Sequence, residues 1–416
     1  MPDQLSVWLH DRRVGVLERD RRGRLQYVHK AGSLPVSIGL PANEPWTPAR
    51  TMAWFEGLLP EGDQRARIAA RFSVAASDTF ALLEQIGWEC AGAVAVLPED
   101  QERPVGTYRR LSDDEVGLRL DALPARPYDD DDEVRASLGG YQAKIVLARF
   151  DDAWAEPVFG AASTHILKPE PPQWAGMAAA EAWALALAAQ VRSAAAARWD
   201  GSLASAPTLV VTRYDRMIVA GQVHRRHQED LCQILGLPPE AKYAEPPMKP
   251  GKPSWDRLAT ILLERAVDPT GERLRLLEQV TVTIALGNAD AHAKNLSVIH
   301  EREGLVSLAP MYDLVPTLAF IPRQTRSALP VAGKFRMDEI TTEHLVREAI
   351  SWGIPERRAR SKVLDTLVAL RSGITSADTA VPQIDPKVRG AVQTQLERLH
   401  ASASGIRPIN PVSKPD

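Results

Sequence analysis

The chain has 416 residues, 44% hydrophobic and 25% charged, with a net charge of −3. That length is too great for one small core and calls for two or three lobes. The balance is ordinary for a globular protein, and the charge excludes any global demand for nucleic acid or a membrane.

The first 40 residues run in short apolar stretches, LSVWL, VGVLE, LQYV and PVSIGL, broken by charged and glycine-containing turns. Alternation of this kind predicts small β-hairpins. From residue 51 to 86 the apolar spacing becomes helical, with Ser77 as the expected N-cap of SDTFALLEQIG and Gly87 as its stop. GAVAVLP reads as a strand and closes a first α/β module over residues 1–105. Residues 106–135, with the acidic run YDDDDE, read as a solvated linker.

A second module over residues 136–237 opens with ASLGGYQAKIVLARF, a glycine turn leading into a strand. THILKP and PTLVVTRYDR are further strands, AAAEAWALALAAQVRSAAAARW is a helix, and HQEDLCQILGL is a short helix. After a proline-rich connection the spacing is helical over residues 238–402. Ser254 is the expected cap of SWDRLATILLERA, and Gly287 ends RLRLLEQVTVTIALG. Residues 403–416 form a polar tail. Cys90 and Cys232 form neither a metal-site spacing nor a disulfide framework, in keeping with a reducing, cytoplasmic compartment. The start MPDQLSVWLHDRR lacks an apolar signal core, and no apolar stretch is long enough to span a membrane.

Residues 287–298, GNADAHAKNLSV, carry the chemistry. Asn295 stands five positions after Asp290; a hairpin then leads to MYDL and Asp313. A tight hairpin brings its ends together, so two carboxylates and one amide oxygen would converge, a set of hard ligands suited to Mg²⁺. This is the apparatus of phosphoryl transfer: one aspartate accepts the nucleophile's proton, while the amide and the second aspartate hold metal. Lys294 could offset charge on the transferring phosphoryl group, and His292 could position the loop. The competing reading of the stretch is a solvated loop. Upstream, Gly139, Gly140, Tyr141, Gln142, Ala143 and Lys144 form a turn able to cradle phosphate. Lys168 sits on an apolar strand, Glu181 is a lone acid in an alanine-rich helix, and the backbone of Thr212, Arg213 and Tyr214 is available to adenine. Each has a bland reading as a turn, a strand-end lysine or a solvated helix face. Their order along the chain is the one a kinase-like fold requires. His224 and His227 lack metal partners, and the basic runs RRVGVLERDRRGR and ERRARSK read as solvated faces. Trp54, Trp88, Trp154, Trp174 and Trp183 read as packing.

SLGGYQAK, THILKP, VTRYDR, HQEDLCQILGLPPEAKY, GNADAHAKNLSV and LAPMYDLVPT resemble the HipA family of bacterial serine/threonine-protein kinase toxins over nearly the whole chain. The resemblance implies an α+β, bilobal protein-kinase-like fold, with an N-terminal α/β module and a mixed N-lobe followed by an all-helical C-lobe. It implies ATP and Mg²⁺ as cofactors and the toxin role in a type II toxin–antitoxin pair. The implied partners are a helix-turn-helix antitoxin of the HipB type, a translation component such as an aminoacyl-tRNA synthetase as substrate, and operator DNA through or beside the antitoxin. By position, Asp290 is catalytic with Lys294, and Asn295 and Asp313 hold Mg²⁺. Nucleotide contacts fall on 139–144, Lys168, Glu181, Thr212, Arg213, Tyr214, His292, Ala293, Lys294, Asn295, Tyr312 and Asp313. Ser137 takes the place of the regulatory autophosphorylated serine, where a phosphate would repel those of ATP. Tyr141 and Ala143 replace a smaller and an acidic residue common in the family's loop, and Ala291 stands where glycine is usual. The rivals are a catalytically weak corepressor acting with the antitoxin on operator DNA, and a kinase for a small molecule or lipid.

Overall fold

The computed structural model describes residues 3–40, 44–123, 136–140, 142–321, 323 and 325–403. The acidic run, Tyr141 and the polar tail beyond Ala403 lie outside them. The chain divides into two compact units. The first holds Met1–Ala178, Ala195–Pro253 and Ala293–Ala309; the second holds Ala179–Ala194, Ser254–His292 and Pro310–Asp416.

In the first unit the early alternation forms strands β1 (Asp3–Leu9), β2 (Arg12–Arg19) and β3 (Leu25–His29). GAVAVLP supplies β4 (Val94–Pro98), which pairs back onto β1 from Leu5↔Pro98 to Leu9↔Val94, giving the order β3-β2-β1-β4. PVSIGL forms no strand. The helical stretch is three helices, α1 (Pro48–Glu56), α2 (Gly62–Arg71) and α3 (Thr79–Ile86). The cap of α3 is Asp78 rather than Ser77: its carboxylate accepts the Ala81 N–H at 2.9 Å and satisfies a donor the helix cannot. Leu5, Leu17, Trp54, Phe55, Leu83 and Val96 form the core beneath this sheet.

Thr107–Leu111 (β5) and Asp113–Ala122 (α4) fall in the stretch read as linker; a Ser112/Glu115 capping box opens the helix. β5 joins β6 (Ile145–Phe150), β7 (Ala153–Val158), β8 (His165–Pro169), β9 (Ala197–Asp200) and β10 (Thr208–Thr212) in the order β5-β7-β6-β8-β10-β9. Helix α5 (Met177–Ala188) stops short of the alanine-rich run's end. Ala197 and Arg198 instead pair with Val211 and Val210 in β9–β10, so tertiary pairing overrides local helix propensity. Arg216–Val219 (β11) and Gln222–Arg225 (β12) form a hairpin. QED is a strand, β13 (Gln228–Asp230), and only Leu231–Leu235 (α6) is helical. β13 adds to the predicted hairpin β14 (Ser297–His300) and β15 (Val306–Leu308). A helix-only reading of HQEDL missed β13 because its partner lies almost 70 residues away.

The second unit is built on helices α7 (Trp255–Arg265) and α8 (Pro269–Leu286). Ser254 caps α7 as expected, accepting from Arg257 at 3.2 Å. From Val280 to Leu286 every residue of α8 is buried, so this part of the helix has no solvent stripe. Around it pack α7 and, further on, α10 (Thr342–Ser351), α11 (Glu356–Ala380) and α12 (Pro386–Ala403), with α9 (Thr317–Phe320) against α12. One hairpin interrupts the helices: β16 (Arg326–Val331) and β17 (Lys334–Arg336), turning at Ala332 and Gly333, both with positive φ. Among the described residues no helix is long and apolar enough to cross a membrane.

Gly287 ends α8 with φ 69°, and a Cβ there would lie 3.2 Å from Leu318. Gly287→Ala is therefore expected to cost roughly 1–2 kcal/mol, read as a lower urea midpoint; an unchanged midpoint would show that this turn relaxes freely.

Candidate active site

In the first unit the glycine turn is held down by the N-terminal module. The Ser137 N–H donates to Glu89 O at 2.7 Å, and its hydroxyl donates to Leu58 O at 2.7 Å. Ser137 is fully buried. Gly140 pairs with Pro60, and its carbonyl accepts the Glu61 N–H at 3.2 Å. Its φ of 112° is one that L side chains rarely adopt. Lys144 Nζ reaches Gly139 O at 3.4 Å, and Gln142 reaches Pro169 O at 3.4 Å, which ties the turn to β8. Ala143 is half-buried, and Tyr141 is outside the described residues.

Lys168 is buried on β8, opposite Leu209 of β10, and is not a solvent-facing strand end. At the end of β10 the backbone N–H groups are already in use: Thr212 donates to Ala196 O at 2.8 Å and Arg213 to Thr164 O at 2.9 Å. The adenine contact expected of this stretch cannot use those two donors in this arrangement. The Tyr214 hydroxyl donates to Gln228, and burial pushes its phenol up.

The Arg213 side chain turns into a buried ion network. It donates twice to Asp215, at 3.0 and 2.8 Å, and to Glu89 at 3.0 Å. Arg216 spans the same two acids at 2.8 and 3.1 Å. Ser163 gives Glu89 two more hydrogen bonds, and the Gly92 N–H reaches Asp215 at 2.8 Å. Burial alone would raise both carboxyls; Arg213 and Arg216 outweigh it and hold both below their ordinary range. Glu89 thus holds the VTRYDR strand end through its side chain and the Ser137 turn through its carbonyl.

The QED block is a second anchor. Glu229, with no exposed surface, accepts from the Trp54 indole at 2.8 Å and the Ile38 N–H at 2.9 Å, and meets His300 at 2.7 Å. Asp230 caps α6 and pairs with Lys294 Nζ at 3.1 Å; that ammonium also reaches Gly57 O at 3.0 Å. Burial opposes the charge on Lys294, but Asp230 and Glu61 overcome it and keep the ammonium protonated. A Cβ on Gly139 would lie 3.4 Å from that nitrogen, so Lys294 sits beneath the glycine turn. Ala293, Lys294 and Asn295 form one buried 3₁₀ turn.

In the second unit Glu181 is 2% exposed, so it is not on a solvated helix face. His292 is buried, and Asp290 and Tyr312 are half-buried. The Asn288 carboxamide accepts the Asp290 N–H at 3.1 Å and donates to Asp313 O at 3.5 Å. Thr317 Oγ1 accepts the Ala289 N–H at 2.8 Å and donates to Gly287 O at 3.2 Å. The loop of Asp290 and the turn of Asp313 therefore lie side by side. Asp313 has φ 56°, a left-handed conformation that non-glycine residues keep only where the surroundings enforce it. Sequence reasoning passed over Asn288, Thr317, Glu229, Asp230 and Glu89. The Asn two before Asp290 was a readable Asx-turn signal; the others depend on partners distant in sequence.

A sheet unit with a pinned glycine turn and a buried strand lysine, followed by a helical unit carrying two adjoining aspartate loops, defines an α+β protein of the protein-kinase-like class. Two family profiles match the chain: "HipA N-terminal domain" over residues 5–97 and "HipA-like C-terminal domain" over residues 136–374. "Putative kinase Y4mE" of Sinorhizobium fredii is 37% identical over 82% of this chain and 83% of its own. "Serine/threonine-protein kinase toxin HipA" of Shewanella oneidensis is 26% identical over 92% of this chain and 90% of its own. The fold is that of Shewanella oneidensis HipA, solved with HipB and operator DNA: TM-score 0.81, 24% identity, 97% of both chains covered. The chain belongs to the HipA family and is a HipA-family kinase.

Arg213→Met would leave Glu89 and Asp215 buried with too little positive charge, and is expected to cost about 3–5 kcal/mol near neutral pH. Both carboxyls are depressed in the folded state, so their contribution is complete above the ordinary carboxylate range and fades as pH falls. The deficit of the variant should then shrink below about pH 4 as the stranded acids protonate. Urea unfolding at several pH values checks this; a deficit independent of pH would assign the cost to packing.

Proposed function

We propose that this protein is an ATP- and Mg²⁺-dependent protein serine/threonine kinase that acts as the toxin of a type II toxin–antitoxin pair. The observation that carries this reading is the hydrogen-bonded pairing of the Asp290 loop with the Asp313 turn. The names of the Sinorhizobium and Shewanella relatives support it. In this reading residues 1–105 form the N-terminal module, 136–237 the N-lobe and 238–402 the C-lobe.

The target hydroxyl attacks the γ-phosphorus of ATP. Its new P–O bond forms as the bond to the β-phosphate oxygen breaks, ADP leaves, and Asp290 takes the hydroxyl proton. Lys168 and the turn at 139–144 hold the nucleotide phosphates, with Glu181 serving Lys168. Thr212, Arg213 and Tyr214 flank the adenine, and His292 and Tyr312 flank the nucleotide. Lys294, committed to Asp230 and the Gly57 carbonyl, supports the turn and Asn295 from below. Among the described residues no three His, Cys, Asp or Glu side chains cluster as a metal site. The proposed ligands, the Asp313 carboxylate and the Asn295 amide, are each of the hard oxygen type that Mg²⁺ takes alongside waters and phosphate oxygens. Mg²⁺ held there would neutralise charge on the phosphates.

Ser137 is the proposed autophosphorylation site. Its hydroxyl is buried on Leu58 O, so transfer to it requires the turn to leave its seat. A phosphate of about −1.5 to −2 charge could not return there, and the nucleotide would lose its cradle. The substrate is a translation component such as an aminoacyl-tRNA synthetase. The Shewanella complex with HipB and operator DNA supports a HipB-type helix-turn-helix partner, through which operator DNA is met in the cytoplasm.

Incubation with γ-labelled ATP and Mg²⁺ tests the reading. The wild type should label Ser137 or a lysate protein, while Asp290→Asn should bind nucleotide, stay folded and transfer nothing. Toxicity surviving in that variant would assign the effect to another activity. Ser137→Glu should weaken ATP binding at least about tenfold by charge repulsion; unchanged affinity would remove this account of regulation.

A further inference from the structure

Asp290 is reached through a peptide segment in which most polar backbone groups are committed. The Gly287 carbonyl accepts from the Leu318 N–H at 3.1 Å and from Thr317 Oγ1 at 3.2 Å. The Asn288 N–H caps α8 on Thr283 O at 3.0 Å. The Ala289 N–H donates to Thr317 Oγ1 at 2.8 Å, and its carbonyl accepts from Ala328 of β16 at 2.8 Å. The Asn288 carboxamide then spans from the Asp290 N–H to the Asp313 carbonyl.

We propose that Thr317 and Asn288 are positioning residues for phosphoryl transfer, a clamp that sets the Asp290 loop against the Asp313 turn before any ligand arrives. The proposal rests on the kinase reading above. One hydroxyl of Thr317 serves as acceptor for one peptide and donor to the one before it, so it grips both sides of Asn288. Thr317 lies four residues after Asp313, so that grip fixes the segment leaving Asp313 to the segment entering Asp290. Asn288 adds a bridge from the loop to the carbonyl of Asp313 itself, beside the left-handed turn at that residue. The Asn288 bonds run through backbone groups of the two aspartates and not through their carboxylates. Neither residue would touch the nucleotide or the reacting oxygen; both act through the aspartates they hold. Slackening such a support displaces a reacting group by an ångström or less, which costs rate more than affinity.

Thr317→Val keeps shape and removes both hydrogen bonds; Thr317→Ser keeps both. Asn288→Ala removes the second bridge. The readouts are the initial rate of label incorporation from γ-labelled ATP at saturating nucleotide, the affinity for a non-hydrolysable ATP analogue by calorimetry, and the Mg²⁺ concentration giving half-maximal rate. Thr317→Val and Asn288→Ala should lose about 10- to 100-fold in rate, with analogue affinity within about threefold and a raised Mg²⁺ requirement. Thr317→Ser should restore the rate to within about threefold of wild type. Wild-type rates in Thr317→Val, an equal loss in Thr317→Ser, or a fall in affinity matching the fall in rate would each overturn the clamp. Loss of cooperative unfolding in both Thr317→Val and Asn288→Ala would overturn it too, making the contacts determinants of the fold. Absence of transfer by the wild type would instead overturn the kinase reading, and the clamp with it. An active wild type and inert Asp290→Asn beside a fully active Thr317→Val would overturn the clamp alone.

Discussion

The two aspartates proposed to act in one reaction must be set side by side by the turns that carry them. In the second unit neutral groups meet this constraint. The Thr317 hydroxyl and the Asn288 carboxamide join the Gly287–Asp290 segment to the Asp313–Leu318 segment. Several ordinary hydrogen bonds act together here, backed by the last turns of α8, which are buried from Val280 to Leu286. The left-handed φ at Asp313 is one visible cost of the arrangement.

The first unit solves a different problem by the opposite means. There the supporting groups are themselves charged and buried: Glu89 with Arg213, Asp215 and Arg216, and Asp230 with Lys294. Buried ion pairs add little net stability compared with apolar packing, because desolvation consumes most of the attraction. They do penalise misplacement severely, since each group left alone is a bare charge in a medium of low polarity. Glu89 comes from the N-terminal module, Arg213 and Arg216 from the strand end proposed to flank adenine, and Ser163 from the approach to β8. The network thus specifies where the N-terminal module sits on the second sheet, and Glu229, accepting from Trp54 and Ile38, specifies it again. What reads in sequence as a separate α/β module is, in contacts, a supporting wall of the unit that carries the glycine turn.

Legibility in the sequence followed the range of the interactions. The opening hairpins, the Ser254 cap, the Gly287 stop and the 297–308 hairpin rest on neighbours a few residues apart, and each was readable. The cap of α3 was misplaced by one residue, from Asp78 to Ser77, because both side chains suit the role and only geometry selects. β13 and the strand end of the alanine-rich run were hidden, since pairing with distant strands outweighs their local preference. Asp290, Asn295 and Asp313 were readable as candidates because their chemistry is unusual for a tight turn. Thr317 and Asn288 stood inside the same motifs and went unread, because a hydroxyl or an amide announces no chemistry until its two partners are known.

In the regulation proposed for Ser137, the supporting wall is also a switch. Three hydrogen bonds hold the 136–140 segment to the N-terminal module: Ser137 N–H to Glu89, Ser137 hydroxyl to Leu58, and Glu61 N–H to Gly140. At about 0.5–1.5 kcal/mol net for each, these bonds favour the seated turn. The proposed self-modification of Ser137 therefore requires the turn to leave this seat. In that proposal desolvation and the neighbouring Leu58 carbonyl would oppose the return of a phosphorylated Ser137. The buried network around Glu89 fixes the carbonyl that the seated Ser137 N–H meets.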